Sequence, residues 1–113
     1  MIKVSCCPEP QLVVNETCNT YNTDSDTPQQ IFEHGTGVVS GYVTLQNFNA
    51  SGGNANVSTD AAGTNIIATA APDNSYTVFV PSLTDLYVFS ETDEVTVLGI
   101  VKVSVNQTVR PQF

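Results

Sequence analysis

From about residue 12 onward the chain is a series of short stretches in which apolar and polar residues alternate, broken every 8 to 12 residues by clusters of Gly, Pro, Asn, Asp and Ser. Period-two alternation is the mark of a strand with one buried face, and evenly spaced turns are the mark of a sandwich or barrel. The pattern predicts strands over 12–18, 29–33, 38–48, 55–58, 64–70, 76–80, 86–90 and 95–109, with turns at 24–28, 49–54, 60–63, 72–75 and 91–94. No segment sustains a helical period. Eight strands in one domain of 113 residues fit an all-β, eight-stranded jelly-roll β-sandwich.

The last strand carries the clearest signal. Val95, Val97, Gly99, Val101, Val103 and Val105 fall on one face, which is expected to be the core side. The opposite face opens with Leu98 and Ile100 and continues with Lys102, Ser104 and Asn106, so two large apolar side chains are left for the arm, a loop or a neighbouring subunit to cover. Gly99, in mid-strand, predicts a bulge or a close backbone approach.

Residues 1–10 read differently. Met1-Ile-Lys-Val-Ser-Cys-Cys-Pro-Glu-Pro10 has no alternation and two prolines, and is expected to be an extended arm ahead of the 11–113 domain. Cys6 and Cys7 are adjacent, and alpha carbons about 3.8 Å apart sit closer than the roughly 4.4 Å an ordinary disulfide needs. Cys18 is the one further cysteine, so at least one thiol is left over. An odd cysteine reads as an intermolecular link or a free thiol, against the plainer reading of buried, reduced cysteines packed as small apolar groups.

Composition narrows the function classes. Three basic residues, Lys3, Lys102 and Arg110, face eleven acidic ones, for a formal net charge of -8. No basic patch is available to neutralise phosphates, so neither nucleic acid nor an anionic membrane surface is an expected partner. No run approaches the roughly 20 apolar residues that span a bilayer, and the N-terminus lacks the basic-then-apolar order of a secretory signal.

Candidate chemistry is sparse. His34 is the single histidine and reads as a strand-end residue beside Gly35. A zinc site from Cys6, Cys7, Cys18 and His34 has the right donors in the wrong spacing. Asn22, Asp24 and Asp26, with Glu33 at the twelfth position, imitate part of a calcium loop, but Thr27 stands where glycine is needed and Pro28 follows, so a solvated acidic turn is expected. Lys102, opposite the valine face, is not placed for a buried isopeptide bond. The Asn-x-Ser/Thr triplets at Asn15, Asn49, Asn56 and Asn106 are unsurprising in so Asn- and Thr-rich a chain, and Tyr21, Tyr42, Tyr76 and Tyr87 read as ordinary strand residues. No catalytic residue, cofactor site or metal site is expected.

The run Val4-Ser5-Cys6-Cys7, followed after ten residues by Cys18 on a small all-β domain, resembles the subunits of bacterial endospore appendages, the protein fibres of spores. The resemblance covers the whole length. It implies a jelly-roll sandwich whose arm is a connector. Cys6 and Cys7 would form disulfides with cysteines of a neighbouring layer, Cys18 would act as acceptor with Cys7 as the favoured donor, and edge strands would pair sideways. The helical-fibre branch also has a cysteine near the C-terminus, where this chain has Gly99, Lys102 and Val103, so the likeness points to the ladder-like branch of stacked rings.

Ten extended residues reach about 33–36 Å, and a domain of this size is roughly 34 Å across, so the arm is long enough to meet the next layer. The function the resemblance implies is a self-assembling structural subunit at the endospore surface, assembled in the mother cell before release. Its expected partner is itself, and its interface residues are Val4, Leu98 and Ile100 beside the three cysteines. The competing reading is a secreted or surface β-sandwich that binds a ligand.

Overall fold

The computed structural model describes residues 11–34 and 39–109, with side chains from Glu16 to His34 and from Val39 to Val105. It contains β1 (Gln11–Thr23), β2 (Gln29–Glu33), β3 (Val39–Asn47), β4 (Ala55–Ser58), β5 (Ile66–Ala70), β6 (Asn74–Leu83), β7 (Asp85–Ser90) and β8 (Val97–Val109). They form two antiparallel four-stranded sheets, ordered β1-β8-β3-β6 and β2-β7-β4-β5. Early and late strands interleave in both sheets, which is the wiring of a jelly roll.

Alternation along each strand turns one row of side chains into the space between the sheets. Val97, Val101, Val103 and Val105 of β8 meet Val43 and Leu45 of β3 and, from the other sheet, Val57, Leu86 and Val88. Burial of each such Val or Leu contributes about 1.5–3 kcal/mol, which makes this valine-rich interior the main source of stability.

Several strand ends differ from the sequence pattern, two of them for clear local reasons. β5 begins at Ile66 because the Asp60 carboxylate holds the Thr64 and Asn65 amides at 3.1 and 3.0 Å, out of the ladder. β8 begins at Val97, and Val95 lies in the preceding turn, half-buried against Gly52 and Gly53 instead of joining the core row. At Gly99 the close approach is the outcome: a Cβ there would meet Gln46 O and come within 2.7 Å of the Tyr21 hydroxyl, while the ladders of β8 with β1 and β3 run through it without a shift.

Candidate assembly surface

The two sheets differ on their outer faces. Phe89, which points outward from β7, is buried beneath the Asp60–Asn65 turn, where Gly63 sits against it at a φ of 73°. Over β1-β8-β3-β6 the described residues place no such turn across the middle of the face, and only Phe48 lies beside Leu98 at one end.

Register defines the composition of that open face. Cys18 stands opposite Lys102, Lys102 opposite Thr44, and Thr44 opposite Thr77, so one row crosses all four strands. The neighbouring row is Glu16, Ser104, Tyr42 and Phe79, and the row on the other side is Thr20, Ile100, Gln46 and Ser75. Buried Tyr21 and Thr23 fix the parity of β1, which puts Cys18 on its outer side, exposed and without a disulfide to any other described residue. Lys102 leans back to Glu16, Nζ to Oε1 3.3 Å, and the Thr44 and Thr77 hydroxyls bond at 2.8 Å. Tyr42 and Phe79 form a tilted ring pair with centroids 5.2 Å apart.

Leu98 and Ile100 are on this face, as alternation predicts, but are half-buried. Phe48, from the loop after β3, lies with Leu98, Thr20, Asn22 and Gly99 around a shallow groove of about 310 Å³. Tyr42 and Phe79 expose 48% and 49% of their surface and form a second apolar feature of this face. In the sequence Tyr42 reads as an ordinary strand residue, and Phe79 is not singled out. The available signal was their parity, opposite to buried Val43 and Leu45 and to Val78 and Val80.

Val4, Cys6 and Cys7 lie outside the described residues, as does the expected 1–10 arm. The acidic turn behaves as a turn: the Glu94 amide donates to Asp24 O at 2.7 Å and the Asp26 amide to Asp93 Oδ1 at 3.4 Å. No group of three or more metal-ligating side chains occurs among the described residues. The His34 amide donates to Thr84 O at 2.8 Å at the end of β2.

Among the described residues the fold is a β-sandwich with jelly-roll wiring, one open sheet face, and β1, β6, β2 and β5 at the outer edges of its sheets. No protein-family model matches the chain, and no curated protein does. Among solved structures, one from work describing Bacillus endospore appendages as a novel family of disulfide-linked pili superposes with a TM-score of 0.66. The superposition covers 96% of this chain and 99% of that one at 15% identity, so the two share a fold from end to end.

Proposed function

We propose that this chain is a self-assembling structural subunit of a disulfide-crosslinked endospore appendage, without catalytic activity. The observation that carries the reading is Cys18: an exposed thiol on the outer face of an edge strand, in a fold shared almost end to end with a chain from disulfide-linked pili. In this reading the thiol of Cys7, or Cys6 in its place, of one copy and that of Cys18 of another form a disulfide, giving up two protons and two electrons to an external oxidant such as dissolved oxygen or a small-molecule disulfide. Leu98 and Ile100 supply half-covered apolar surface near Cys18, and the sheet edges dock sideways. Arm and acceptor are different surfaces of one chain, so each contact is heterologous and addition continues into a filament.

The test is polymerisation of the pure chain under oxidising conditions, followed by negative-stain microscopy and non-reducing denaturing gels. Filaments and a reductant-sensitive ladder are expected without cofactor or nucleotide. Cys18→Ser should collapse the ladder to monomers, dimers and small oligomers, and removal of residues 1–10 should abolish longitudinal growth. Mixed light and heavy isotopic copies distinguish inter-chain from intra-chain bonds. Monodisperse monomers, or Cys18 bonded only within its own chain, would return the molecule to the ligand-binding reading.

A further inference from the structure

The Tyr42–Phe79 pair is an unusual thing to leave on the surface of a chain this polar. Both side chains are about half exposed, they touch each other, and nothing described lies over them. An apolar patch rimmed by hydroxyls and amides marks an interaction site. We propose that this pair is the docking platform for Ile2 and Val4 of another copy's arm, and that this docking brings the arm cysteines to Cys18. The inference rests on the fibre reading and adds to it the surface that captures the arm.

Length supports this occupant. Strands lie about 4.8 Å apart and rise about 3.3 Å per residue, so Tyr42, two strands and one row from Cys18, is roughly 12 Å away, and Phe79, three strands over, is roughly 16 Å away. Along an extended arm, Val4 is two or three residues from the bonded cysteine and Ile2 four or five, which is about 7–17 Å. Ile2 and Val4 therefore reach the aromatic pair while either cysteine reaches Cys18.

Charge supports it as well. Residues 1–8, which hold Ile2, Val4 and both arm cysteines, carry Lys3 and no acidic side chain, Glu9 lying after them, whereas the 11–109 region holds ten acidic residues against Lys102 alone. The described part of the open face has only Glu16 and Lys102 as charged residues, and they pair with each other. A weakly cationic, apolar segment meets no repulsion there.

The experiment uses the full chain with Phe79→p-benzoylphenylalanine, mixed with heavy-isotope unmodified chain, polymerised and irradiated. The expected photoadduct joins position 79 to a heavy peptide containing Ile2 to Val4. Adducts elsewhere, or none, in a preparation that still forms the disulfide ladder would overturn the docking and leave the fibre reading standing; absence of any ladder from the unmodified chain alone would overturn both. In parallel, the double variant Tyr42→Ser, Phe79→Ser should stay folded, with its thermal midpoint lowered by a few degrees for the lost ring pair, and form the ladder about tenfold more slowly, the factor that ~1.4 kcal/mol produces. Ile2→Ser with Val4→Ser should slow it similarly, and combining the two pairs should add little, because each removes the same contact. An unchanged ladder rate in the folded Tyr42, Phe79 variant counts against the proposal.

Discussion

At Tyr21 the phenol hydroxyl faces both Gln46 O and Asn47 Oδ1 at 3.1 Å. Asn47, itself buried, donates to Gly53 O and Ala70 O at 2.9 Å, and the Ser51 hydroxyl donates to Asn47 Oδ1 at 2.6 Å while accepting the Leu98 amide at 2.9 Å. One knot of neutral groups thus ties β1, β3, β5, β8 and the loop after β3. Burial pushes the Tyr21 phenol well above its ordinary value. The unfolded phenol ionises near pH 10, so above that pH the unfolded chain releases its proton first and stability falls as pH rises. Below that pH the contribution is fully present. Tyr21→Phe should cost about 1 kcal/mol at pH 7, the worth of a typical hydrogen bond, and should lose stability less steeply between pH 10 and 11. Urea midpoints across that range measure it; mutant and wild-type curves that stay parallel would show that the folded phenol ionises as readily as the unfolded one.

At the scale of strands, Gly99 is where β8 can lie against Gln46 of β3 with the Tyr21 hydroxyl between. Gly99→Ala should therefore cost about 1–3 kcal/mol, as overpacking does, because the obstructing Gln46 atom belongs to backbone that cannot rotate aside. A thermal midpoint within a degree of the parent would contradict it. That a glycine was needed in mid-strand was legible in the sequence; which backbone it met was not, because Gln46 is 53 residues away and register alone brings it there. All eight strands were likewise legible from alternation, and the expected bounds of β2 and β4 agree with the structure. β1 runs on to Thr23, past its expected end at Cys18, because its inward Tyr21 and Thr23 are held by burial and hydrogen bonds in a stretch otherwise of Asn and Thr, where apolar alternation gives no signal. The outward parity of Leu98 and Ile100 was readable, but their partial cover was not. Tyr42 reads as an ordinary strand residue and Phe79 draws no attention because neither is unusual alone; pairing across the β3–β6 ladder makes them a patch.

For the whole molecule, the division between a covered sheet and an open one makes the sandwich two-sided, and the proposed linkage uses only the open side. Cys18 is on β1, the strand that directly follows residues 1–10. Under the proposed pairing, tension would enter a subunit at Cys18 and leave through its own arm at Cys7 or Cys6. The covalent route between these points is 11 or 12 residues, about 36–43 Å when extended, and it bypasses the other seven strands. Pulling a single fibre should accordingly show a stiff response without domain-sized lengthening steps; steps of tens of nanometres would mean that the load runs through the sandwich. A fibre wired in this way has almost no hidden length, so its jelly rolls would be passengers on a short covalent cord, spared from mechanical unfolding while the cord holds.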